Sequence, residues 1–101
     1  MTFSYTFNEA SGHISINEGS TNIPYAAFHD YEKFHGGKIA SVYIPNSVTE
    51  IGENAFSSNN LTEINIPDSV TTIGRAAFYQ NNLTEIIIPN SVTEIGMQAF
   101  L

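Results

Sequence analysis

Two of the three histidines, two acids and two aromatics fall within HDYEKFHGGK, residues 29–38. His29, Asp30, Glu32 and His35 are residue types that ligate a divalent metal through imidazole nitrogen or carboxylate oxygen. Their spacing matches no zinc pattern, and a surface connection has this polar composition anyway, so no metal site is assigned. A protruding loop that contributes to a partner contact is a better reading than a metal site, and plain connection is the default. Glu63 and Glu85 are the next candidates. An acid catalyst needs a carboxyl group held protonated by burial, and both stand where solvent is expected. Ser47, Ser69 and Ser91 recur through the chain with no histidine recurring beside them, which removes a Ser-His-Asp arrangement. Asn60-Leu61-Thr62 and Asn82-Leu83-Thr84 fit the N-x-[ST] glycosylation pattern. Their recurrence is better explained by an asparagine amide bonded to backbone groups of a turn. No catalytic residue and no cofactor site emerges.

What positions these residues is a repeat. NNLTEINIPDSVTTIGRAAF, residues 59–78, is followed by NNLTEIIIPNSVTEIGMQAF, residues 81–100. At this offset Ile44-Pro45, Ile66-Pro67 and Ile88-Pro89 superpose, as do Ile51-Gly52, Ile73-Gly74 and Ile95-Gly96. Val48, Val70 and Val92 also align, and so do the Ala-Phe pairs ending at Phe56, Phe78 and Phe100. A degenerate earlier copy matches at a longer offset, with Ile14, Ile16, Ile23 and Phe28 answering Val42, Ile44, Ile51 and Phe56. The extra residues lie in the 29–38 segment. Each copy opens with apolar residues at positions 1, 4 and 6, for example Leu61, Ile64 and Ile66. Alternation about Asn65 predicts a strand, which the following proline ends because it has no N–H to donate. Gly52, Gly74 and Gly96 are expected at tight bends or positive φ. The phenylalanines are expected to stack from one coil to the next. One coil cannot bury its apolar side alone, whereas several stacked coils can.

The string L-x-x-I-x-I-P-x-S-V-T-x-I-G-x-x-A-F resembles the BspA-type leucine-rich repeat family, over roughly residues 12–101. The resemblance implies a β-rich solenoid: right-handed, with parallel strands on its concave face and irregular or 3-10 returns. It also implies a non-enzymatic recognition surface, an adhesin-like or matrix-binding module of bacterial surface proteins. A secreted or cell-surface location and a host or matrix protein ligand follow from the same resemblance.

Composition agrees with a single domain. The chain of 101 residues is 42% apolar, enough for a modest core. The reading divides it into an N-terminal strand and turn (1–11), a divergent repeat with an insertion (12–38), full repeats (39–60 and 61–82) and a truncated one (83–101). A net charge of −7 repels phosphate backbones and anionic lipid, and favours a cationic partner or a divalent ion. No apolar run is long enough to span a membrane, and the N-terminus shows no signal-peptide pattern. Without cysteine, no disulfide or thiolate chemistry is available.

On the concave face, residues between the buried positions should face solvent. These are Gly12, His13 and Ser15; Ala40, Ser41 and Tyr43; Thr62, Glu63 and Asn65; and Thr84, Glu85 and Ile87. His13, Ser15, Ser41, Tyr43, Glu63, Asn65, Glu85 and Ile87 form the expected ligand surface, with Tyr43 and Ile87 as anchors. Glu63 and Glu85 form a like-charge pair on neighbouring coils. At the chain's start, Phe3, Tyr5 and Phe7 alternate with polar residues and predict a strand over Thr2–Phe7 that pairs antiparallel with His13–Ile16. That hairpin would cover the first coil. Phe100 and Leu101 at the other end are expected to be exposed beside an open Ile86–Ile88 edge, where a homodimer would pair end to end.

Overall fold

Threonine sets the spacing of the coils. The computed structural model describes residues 3–100, and of Phe34 the backbone alone. Thr49, Thr71 and Thr93 each donate their amide to a threonine carbonyl one coil earlier, at 2.7, 2.8 and 2.9 Å. Their hydroxyls donate to the same carbonyls at 3.2, 3.2 and 3.3 Å. Two-residue strands follow immediately: β3 (Asn22–Ile23), β5 (Glu50–Ile51), β6 (Thr72–Ile73) and β7 (Glu94–Ile95). They pair in parallel in that order. Ile23, Ile51, Ile73 and Ile95 lie opposite one another. These partners are the ones that the sequence repeat aligns.

A second sheet holds β1 (Tyr5–Asn8), β2 (His13–Ile16) and β4 (Ser41–Tyr43), in that order. β1 runs antiparallel to β2, as expected, although it extends to Asn8 and Thr2 lies outside the described residues. β2 pairs in parallel with β4. Alternation along β1 turns Phe3, Tyr5 and Phe7 onto the core: Phe3 and Tyr5 meet Phe28 edge-on at 5.8 and 4.7 Å, and Phe7 meets Tyr31 at 5.1 Å. Tyr31 opens a short helix, α1 (Tyr31–His35), where the sequence reading expects only a loop. Its ring is buried, stacks on His35 at 4.2 Å, and its hydroxyl lies 3.1 Å from that of Tyr5. Burial, then the hydrogen bond to Tyr5, pushes the Tyr31 phenol up to about 12.

The core is a stack of equivalents. Phe28, Phe56, Phe78 and Phe100 form one row, with centroids 5.2, 5.4 and 5.3 Å apart and planes within 13° of parallel. The first three are buried and Phe100 is half-buried. Val48 and Val70, Leu61, Ile64 and Ile66 fill the rest of the interior.

Two expectations are corrected. The glycines of the Ile-Gly pairs open tight turns, with the Ala55, Ala77 and Ala99 N–H groups donating to the Gly52, Gly74 and Gly96 carbonyls at 3.2, 3.2 and 3.3 Å, but they do not take positive φ. A Cβ on Gly52 would stand 2.6 Å from the Ile23 carbonyl oxygen, and one on Gly74 would stand 2.6 Å from the Glu53 nitrogen. Glycine is required there because the neighbouring coil's backbone leaves no room. Positive φ falls instead on Ala26, Asn54, Ala76 and Gln98. The second correction concerns the strands. Only β2 and β4 realise the concave strand expected in every coil. Residues 61–66 and 83–88 form none, so the expected Ile86–Ile88 strand edge does not exist, and the return carries the four-stranded sheet. Alternation at Ile64 and Ile66 reports side-chain burial, and burial is achieved here without ladder bonds. The coil spacing is already held from the threonine side.

Asparagine ties the corner. Asn59 donates its amide to the Phe28 and Phe56 carbonyls at 2.8 and 2.9 Å and accepts the Tyr31 N–H at 3.2 Å. Asn81 donates to Phe56 and Phe78 at 2.8 and 3.1 Å and accepts from Leu61 at 3.1 Å. These are the neighbours of the asparagines in the glycosylation pattern. Asn60 and Asn82 themselves are exposed.

Replacing Phe78 by alanine should cost about 3–5 kcal/mol and unfold so small an array, as thermal denaturation would reveal. Cooperative melting near the parent temperature would show that the row does not carry the core. Asn59→Ala should cost about 1–3 kcal/mol because it leaves backbone groups unpaired. Asn60→Ala should stay within about 0.5 kcal/mol of the parent. Chemical denaturation of the two variants side by side checks that contrast, and equal losses would refute it.

Candidate binding surface

The absence of ladder bonds beyond β4 has a geometric result. Among the described residues, no backbone hydrogen bond joins Ser41–Tyr43 to Thr62–Asn65. The next two coils are joined there only at their start, by Asn82 N–H to Leu61 O at 2.9 Å and Thr84 N–H to Thr62 O at 3.5 Å. A groove of about 560 Å³ opens at this place, lined by Ser41, Val42, residues 62–65 and residues 84–87. Val42 and Ile86 are half-buried and Ile64 is buried, so they form an apolar floor. Glu63 and Glu85, both exposed, are the groove's only charged groups.

The expected ligand residues divide between this groove and its margin. Ser41, Glu63, Asn65, Glu85 and Ile87 line it. His13 joins through Ser41, with Nδ1 2.7 Å from the serine hydroxyl. Ser15 lies opposite Tyr43 in the β2–β4 pairing. Tyr43 is 44% exposed and Ile87 77% exposed, so both are available to a partner. The Tyr43 hydroxyl donates to Glu18 Oε1 at 2.7 Å, and that hydrogen bond raises the phenol above its usual 10.0. Glu18 has no signal in the repeat, because it lies in the divergent first coil. Gly12 corrects the sequence reading: it is buried, with φ +73, close against Lys38 and Ala40. Phe100 is half-buried under Phe78, and Leu101 lies outside the described residues.

Residues singled out for chemistry are placed in structural roles. His29 Nδ1 is hydrogen-bonded to Ser57, a buried serine that the sequence reading does not single out and whose hydroxyl also lies 3.1 Å from the Asn54 carbonyl. His29, Asp30, Glu32 and His35 do not gather: His29 is held by Ser57, His35 lies on Tyr31, and Asp30 precedes α1 with a left-handed backbone. Ser47 and Ser69, in the recurrent serine position, donate to the carbonyls of Ser20 and Val48 in the preceding coil at 2.7 and 2.6 Å. No helix among the described residues is long and apolar enough to cross a membrane.

Two solved structures are similar to nearly the whole chain. One is the T. pallidum leucine rich repeat protein TpLRR, 25% identical with a TM-score of 0.64, covering 97% of this chain and 63% of its own. The other is a leucine-rich repeat protein from Bacteroides ovatus ATCC 8483, 29% identical with a TM-score of 0.57, covering 97% of this chain and 31% of its own. The chain therefore spans less than two thirds of either. No curated protein matches it. The family described as "BspA type Leucine rich repeat region (6 copies)" matches residues 31–101. The chain belongs to the BspA-type leucine-rich repeat family.

Proposed function

We propose that this chain is a non-enzymatic protein-interaction module, an adhesin-like or matrix-binding segment that works on a cell surface or in the secreted state. The observation that carries the reading is the groove bordered by an exposed isoleucine and an exposed tyrosine. Ile87 is a large aliphatic residue with 77% exposure, and anchors of this kind concentrate binding energy. Its counterparts in the repeat are Tyr43 and Asn65, so the position varies where a binding surface needs variety. In this reading the coils form a solenoid, and the β1–β2 hairpin caps its first coil. The family and both similar structures support a binding module over an enzyme.

Tyr43→Ala and Ile87→Ser should each leave the melting temperature near the parent's and weaken capture of a protein ligand about tenfold or more. Surface plasmon resonance against a panel of matrix proteins measures the effect. Undiminished binding by both variants would move the site to residues 29–38.

A second reading, self-association by end-to-end pairing, is favoured by the outer face of the fourth coil. Leu83, Ile86, Ile88, Val92 and Phe100 are half-buried there, whereas Leu61, Ile64, Ile66, Val70 and Phe78 are buried. Ile95 is 48% exposed against 1% for Ile73, and β7 is an edge strand. In this second reading a second copy of the chain would cover this face. Sedimentation should show a concentration-dependent dimer that Phe100→Asp abolishes; a monomer at the highest concentrations sinks this reading.

A further inference from the structure

The groove described above has three properties that together specify an occupant. First, it lies along the unpaired side of β4: Ser41–Tyr43 pairs with β2 on one side, and no backbone bond reaches residues 62–65 on the other. Backbone groups on that side of β4 have no backbone partner among the described residues, which is the condition for strand addition. Second, its floor is apolar, made by Val42, Ile64 and Ile86. Third, its charges are the Glu63 and Glu85 carboxylates, while the chain's three cationic side chains, Lys33, Lys38 and Arg75, lie elsewhere.

From this combination we propose that the groove takes an extended segment of a protein partner in which basic and apolar residues alternate. The proposal rests on the binding-module reading and names the chemistry of its ligand. In an extended chain successive side chains point to opposite faces. Apolar residues on one face would meet the floor, and lysines or arginines on the other would reach the carboxylates at the rim. The segment's backbone would pair with the open side of β4. A like-charge pair such as Glu63 and Glu85 is unfavourable in the free protein and becomes favourable when cations settle between them. The volume of about 560 Å³ suits a short extended run and falls within the range of ligand clefts, about 300–1,000 Å³. A net charge of −7 would steer such a segment inward.

The test uses a fluorescent heptapeptide alternating lysine and valine, read by anisotropy at physiological salt on the full chain. Saturable binding is expected. The same peptide N-methylated at alternate backbone nitrogens should bind about tenfold more weakly, because its charge is kept while its donors are lost. The Glu63→Gln, Glu85→Gln double variant, shown by circular dichroism to fold like the parent, should also lose about tenfold. A heptapeptide alternating glutamate and valine should not bind. Equal binding of the methylated peptide would reduce the contact to charge alone and overturn the proposal, and so would indifference to the double variant. Absence of saturable binding by the lysine peptide overturns it as well. Capture of a matrix protein that still depends on Tyr43 and Ile87 would, in that event, leave the binding-module reading standing.

Discussion

The phenylalanines of the core rest on their own equivalents one coil away, and the rest of the structure depends on that stacking. A coil of about 22 residues has an inside too thin to close by itself, so its apolar groups are buried only between neighbours. Phe56 lies between Phe28 and Phe78, with nearly parallel rings. Such stacking works only if the coils are in register to within a residue. The threonine amide and hydroxyl, both donated to one carbonyl, supply that register. Close approach on the same side is why Gly52 and Gly74 carry no side chain.

Polar groups follow the same rule. Buried backbone groups that coil-to-coil pairing leaves over must find side chains. Asn59 and Asn81 act as bridges across successive carbonyls of the phenylalanine row, and Ser47 and Ser69 reach back one coil. Recurrent polar residues in a repeat are thus part of its frame. At the first coil the pattern changes. Phe3 and Tyr5 meet Phe28 edge-on, in place of the parallel ring found between coils.

Positions that stacking does not constrain are where a binding surface can be written. Ile44, Ile66 and Ile88 are identical, while their neighbours Tyr43, Asn65 and Ile87 have nothing in common. The frame tolerates this because these side chains leave the interior. Among the described residues, 63–66 make no backbone hydrogen bond to a neighbouring coil, and this face opens into a groove while the threonine side holds the coils together. The groove lies where the frame has no need of hydrogen bonds.

Much of this was legible in the sequence. The offset of the repeat named the partners Ile23, Ile51, Ile73 and Ile95, the phenylalanine row, and the exposure of Tyr43 and Ile87, because identical residues at a fixed period can bury themselves only by stacking. The antiparallel β1–β2 pair followed from alternation in Phe3, Tyr5 and Phe7. Tertiary structure alone decided which face carries the backbone ladder. Alternation at Ile64 and Ile66 states that these side chains are buried, and burial is the same whether or not the backbone pairs. It also decided that Asn59 and Asn81, and not the adjacent Asn60 and Asn82, hold the corner, since adjacent identical residues carry no mark of which one turns inward. The short helix at Tyr31–His35 and the Glu18–Tyr43 bond likewise had no signal in the repeat, because both lie in or reach into the first coil, where periodicity stops. The groove itself was invisible to sequence: it is an absence of bonds between two coils, and only three-dimensional spacing decides whether bonds form.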